Sequence, residues 1–169
     1  MKVTRWIALV LCISVLLLST ACSSVRSADA LKNISDKTEV DFSSAAVSLY
    51  QDTHEGFLGD GATFAVVNCK NTGIKEKIAA NPNWKPFPPS DTIRRIFYGI
   101  KGSSSLLSQL KGSPEIPDIQ MGYYYFLDRH DESKDRHSEE GVFDRASLNF
   151  SAAVYDDATD RLFFFEFDT

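Results

Sequence analysis

Apolar residues along this chain first run continuously, then thin out, then return in short bursts whose spacing alternates between two and about 3.6 residues. Trp6 to Leu18 is a run of thirteen residues broken only by Ser14. Ser23 to Glu39 is rich in Ser, Asp, Lys and Ala and reads as a tether, with room for a short helix over Ser27 to Lys32. Val40 to Tyr50 suits helix or strand, and the turn that follows favours a strand over 45–51. Ala62 to Cys69, nearly continuous in apolar residues, predicts a central strand. Thr72 to Ala80 carries Ile74 and Ile78 four apart and stops at Asn81-Pro82, which predicts a short helix. Prolines 82, 86, 88 and 89 exclude a regular helix or an inner strand there, leaving Trp84 and Phe87 to clamp the segment to the body.

A second helix is predicted from the Ser90 cap, with Ile93, Ile96, Phe97 and Ile100 on one face and Arg94 and Arg95 turned away. A weaker third covers Ser103 to Gln109. Gly122 to Leu127 is the strongest strand signal, and a charged loop over Asp128 to Ala146 follows it. Ser147 to Tyr155 alternates, with Leu148, Phe150, Ala152 and Val154 expected inward, and Ser147, Asn149 and Ser151 outward. A turn over Asp156 to Asp160 joins it to a last strand, Arg161 to Asp168, apolar on both faces at its start and expected to be covered on both. Helices grouped between strands two and three argue for an α+β fold: an antiparallel sheet of about five strands with two or three short helices on one face.

The first apolar run changes the picture of where the chain resides. Lys2 and Arg5 precede it and Ser19-Thr20-Ala21 follows, the plan of a secretory signal peptide over residues 1–21. It is shorter than the roughly 20 residues of a spanning helix. Leu18-Ser19-Thr20-Ala21-Cys22 resembles the lipobox of bacterial lipoproteins, with Leu18 one position earlier than is usual. The resemblance implies cleavage before Cys22, acylation of its thiol with chains such as palmitate, and attachment to the extracytoplasmic face of a membrane. Ser19 and Ala21 also satisfy an ordinary signal peptidase, which would leave a soluble secreted protein. The expected organisation is a leader (1–21), a lipid-anchored tether (22–39) and one α+β domain (40–169).

Charge narrows the partners. With the leader removed, 16 basic residues face 23 acidic ones, a net charge of −7 that disfavours nucleic acid and suits a protein partner with basic character. Cys69 is then the only cysteine besides Cys22, so it is expected as a buried small hydrophobe.

Two stretches carry candidate chemistry. Asp52 to Gly61 packs three glycines, three carboxylates and His54 between two apolar segments. Asp128, His130, Asp131 and Glu132 follow the strongest strand. If the two strands are neighbours, Asp52, His54, Asp60, Asp128 and His130 could converge on a zinc-like ion. The alternative is architectural, the carboxylates accepting backbone N–H bonds and the glycines shaping the turn. No HExxH, GxSxG, phosphate-loop or cofactor motif is present in the sequence.

The combination of Asp52-x-His54-x-Gly56-Phe57-x-Gly59-Asp60-Gly61, Asn83-Trp84, Gly122 to Arg129 and the closing Leu162 to Thr169 resembles small hypothetical exported proteins of Gram-positive bacteria, a group that implies no activity. The expectation is a membrane-tethered binding or interaction module. A small metal-dependent hydrolase using His54, Asp60 and His130, and an inhibitor or immunity-type protein, are the alternatives.

Overall fold

Alternating apolar positions on three long C-terminal segments leave two faces to cover, and the architecture follows from that need. The computed structural model describes residues 27–54, 59–100 and 102–169. Six strands form one antiparallel sheet: β1 (Ala46–Asp52), β2 (Gly61–Asn68), β3 (Lys85–Pro86), β4 (Gly122–Asp128), β5 (Asn149–Asp156) and β6 (Arg161–Asp168), in the order β1-β2-β6-β5-β4-β3. The sixth strand, beyond the five expected, is the two-residue β3 within the proline segment. It lies at an edge, where a missing N–H costs no ladder bond.

The helices lie on both faces, not on one as expected. Residues 27–38 (α1) and Ile74–Ala80 (α2) cover one side, where Leu31, Ile34, Ile74 and Ile78 meet Ala65, Val67, Tyr155, Leu162 and Phe164. Asp91–Phe97 (α3) covers the other through Ile93, Ile96 and Phe97, packed on Phe64, Phe150, Val154, Phe163 and Phe165. The reason is β6. Leu162, Phe163, Phe164 and Phe165 are all buried, so both faces need a cover. The same logic corrects the outward placement of Ser151, which is fully buried, as are Ala153 and Tyr155.

The tether expected over 22–39 is met differently. Residues 22–26, like the expected leader over 1–21, lie outside the described residues, whereas α1 is packed into the body, with Ala30, Leu31 and Ile34 buried and Val40 and Phe42 following. Ser35 and Thr38 hydroxyls donate back to the Leu31 and Ile34 carbonyls, which lets polar residues sit within the helix. Trp84 fastens its end, donating Nε1–H to the Thr38 carbonyl at 3.0 Å. Phe87 packs edge-on against Tyr124, so both aromatics of the proline segment clamp as expected. Ser90 caps α3 by accepting from the Ile93 N–H. The expected third helix is a single 3₁₀ turn, Leu107–Gln109, reached through a bend at Gly99, where a Cβ would stand 2.2 Å from the Ser103 carbonyl oxygen.

Candidate functional site

Antiparallel pairing brings the end of β1, the start of β2, the ends of β4 and β6 and the start of β5 to one end of the sheet. There the apolar face under α1 gives way to a polar row. Asp52 pairs with Thr63, Thr63 with Glu166, and Glu166 with Ser151, so β1, β2, β6 and β5 each place one polar residue side by side. Arg129, just past β4, and α1 complete the cluster.

His54 is its hinge. Nδ1 lies 2.7 Å from Asp52 Oδ1 and Nε2 lies 3.0 Å from Asp168 Oδ2, so the ring bridges the turn after β1 to the last strand. Gly61 makes room: a Cβ there would stand 2.7 Å from the His54 backbone. A carboxylate at each nitrogen favours the protonated ring, which donates from both. Burial works against that charge, but the hydrogen bonds and charges of Asp52 and Asp168 outweigh it and raise the His54 pKa. Asp52 is the mirror case. Its burial would raise its pKa, yet the His54 backbone and ring hydrogen bonds, the ring's charge and Thr63 lower it.

From Asp168 the network continues inward. Arg129 Nη2 lies 2.8 Å from both Asp168 oxygens and 3.1 Å from Glu166 Oε1, while its Nε donates to Ser151 Oγ at 3.0 Å. Glu166 is then held from above by α1, through Lys37 Nζ at 3.3 Å and Asn33 Nδ2 at 3.3 Å. Glu166, the buried carboxylate of the cluster, is thus matched by two cations and a neutral donor, the condition under which such a group is tolerated.

The other expected residues separate from this cluster. Asp128 is buried and forms an ion pair with Arg145 Nη1 at 2.7 Å without an aligned hydrogen bond from it, its Oδ1 meanwhile accepting the His130 N–H. His130 uses Nδ1 to accept the Glu132 N–H and sets Nε2 3.2 Å from Ser147 Oγ, so it works within its own loop. Asp60 is exposed. Glu55 lies outside the described residues. The expected convergence of His54 and His130 on one ion is therefore replaced by two separate polar sets. Among the described residues no group of three or more His, Cys, Asp or Glu side chains is placed to hold a metal ion. Cys69 is buried, and burial, then the Asp160 charge, push its thiol up to about 12.

The charged loop after β4 folds back on the body. His137 packs against the Tyr125 ring with Nδ1 3.1 Å from the Phe126 carbonyl, and Glu139 reaches Lys85 Nζ at 3.0 Å and Ser90 Oγ. Sequence reasoning missed Arg129, Glu166 and Asp168 as members of the site. Their signal was present, since Glu166 interrupts a run of phenylalanines and Asp168 closes it, two residues apart and so on one face.

The molecule belongs by architecture to the antiparallel α+β class, with a charged clasp at one end of its sheet. Comparison with protein-family models, with curated proteins and with solved structures finds no match to the chain.

Proposed function

We propose that this chain is a lipid-anchored extracytoplasmic domain that acts by binding a protein partner, with the clasp-bearing end of the sheet and the loop after β4 as its contact surface. The observation that carries the reading is the engagement of His54 by two carboxylates, which leaves its ring neither a free base nor a free metal ligand. His130 and the buried Cys69 thiol are likewise tied into the structure. What such a cluster supplies is a set of paired polar side chains that ties the turn after β1 to the last strand. The excess of acidic residues suits a basic partner, which is the sense in which an inhibitor or immunity-type role fits. Cys22 lies five positions before residue 27, so acyl chains on it would hold α1 close to the membrane. Among the described residues no helix is long and apolar enough to cross a membrane.

The test combines two measurements on the full chain in its membrane. A photocrosslinking amino acid at Asp60 or Glu132, both exposed, is expected to yield a discrete protein adduct. Calorimetric titration with zinc and manganese is expected to show no stoichiometric uptake that a His54→Ala, His130→Ala double variant loses. Metal binding lost in that variant, with no adduct from either position, overturns the reading in favour of a metal-dependent enzyme.

A further inference from the structure

At the end of the sheet away from the clasp, a cleft of about 460 Å³ opens among α3, the proline segment and the stretch that leads into β4. Phe87 fixes it there, because its N–H donates to the Gly122 carbonyl at the start of β4, the opposite end of that strand from Asp128. The apolar lining is Phe87, Pro89, Ile100 and the buried Ile119. Most of the polar lining comes from one face of α3 and its cap, where Asp91, Arg94 and Tyr98 fall at i, i+3 and i+7. A cleft of this size with a mixed lining suits a small molecule.

The charges of the cleft are not spent on one another. Among the described residues, neither the Arg94 side chain nor that of Asp91 makes an ion pair or a hydrogen bond. Three apart on a helix, they are neighbours, about 5–6 Å between Cβ atoms. By contrast Lys75, Lys77 and Arg145 each meet a carboxylate. Asp118, also in the lining, is engaged by Gln120 Nε2 at 2.8 Å. The Tyr98 hydroxyl is closed off from water and has no partner. Burial, then the Asp118 and Asp156 charges, push its pKa up to about 12, opposed by Arg94. An acid in the first turn and a base in the last suit the helix dipole. That accounts for the two signs but not for both groups opening unpaired on one cleft.

We propose that this cleft binds an apolar α-amino acid as its zwitterion, with the carboxylate on Arg94, the ammonium on Asp91 and the side chain against Phe87, Ile100 and Ile119. The proposal goes beyond the protein-binding reading and is independent of it, since the cleft and the clasp lie at opposite ends of the sheet. Opposite unpaired charges one helical turn apart are matched by a ligand whose opposite charges sit on one carbon. A simple anion would be set against Asp91 and Asp118, and a simple cation against Arg94. The guanidinium takes a carboxylate through two parallel hydrogen bonds. An apolar side chain on the ligand removes the lining of Phe87 and Ile100 from water.

The experiment titrates the full chain in detergent micelles by calorimetry with L-leucine and L-phenylalanine, then with N-acetyl-L-leucine and L-leucinamide, which lack the ammonium and the carboxylate. Expected is one-to-one binding of a free amino acid, weakened about tenfold or more by either block. Arg94→Gln and Asp91→Asn, both at exposed positions and so harmless to the fold, weaken it to a similar degree. Arg95→Gln, whose guanidinium lies over the Phe143 ring, leaves it unchanged. Equal binding of N-acetyl-L-leucine or of L-leucinamide would reveal a plain anion or cation site and overturn the zwitterion. So would the absence of binding into the millimolar range, or binding that Arg94→Gln and Asp91→Asn leave untouched. None of these outcomes bears on an adduct from Asp60 or Glu132, so the two readings fail separately.

Discussion

His54 shows how one side chain couples local geometry to pH. Its pKa is raised above its ordinary 6.5, so its contribution to stability is full below that value and is lost as pH rises through the folded pKa. Asp52 is lowered below 3.8, so its contribution is present above that value and is lost as pH falls through its own folded pKa. The clasp is therefore strongest between the two ordinary values. In urea unfolding, the wild type is expected to lose more stability from pH 5.5 to 8.5 than His54→Gln does, with His130 and His137 cancelling in the comparison. Equal losses would show that the ring carries no extra proton in the folded state. Gly61→Ala is expected to cost about 1–3 kcal/mol by forcing the His54 backbone aside. The buried Asp128 makes a separate demand. Arg145→Ala strands its carboxylate, for a loss of about 3 kcal/mol in chemical denaturation, while the double change Asp128→Asn, Arg145→Met recovers most of it.

For whole elements, α1 is the instructive case. Its sequence reads as a tether because apolar residues are sparse, yet Ala30, Leu31 and Ile34 are spaced for one face, and that face meets the sheet. Ile34 is fully buried, so Ile34→Ala is expected to cost about 2–5 kcal/mol in thermal or urea unfolding. A tether residue would cost nothing. The polar side of the same helix anchors Glu166 through Asn33 and Lys37, so the charged network also fixes the element nearest the expected anchor. By contrast α2 and α3 were legible, because Ile74 with Ile78, and Ile93 with Ile96 and Phe97, sit beside clear stop signals and a capping serine.

Taken as a whole, the molecule ends its sheet in the two-residue β3 at one edge and in β1 at the other, and α1 is the element that leads back to Cys22. On the proposed reading, Cys22→Ser would move the chain from the membrane to the soluble fraction and abolish incorporation of labelled palmitate. Persistence in the membrane would remove the lipid anchor from the proposal.

Hydrophobic period, capping residues and prolines determined five of the six strands, two of the helices and the α+β class, since each acts over a few neighbouring residues. Charge arithmetic and the apolar run over Trp6 to Leu18 set the expectations of a basic partner and of export. Tertiary structure decided which polar residues meet. Asp52, His54, Arg129, Glu166 and Asp168 come from three distant parts of the chain, and only the strand order β1-β2-β6-β5-β4 lines them up. It also put helices on both faces, because burial of β6 from both sides depends on its central place in the sheet, which no local pattern specifies.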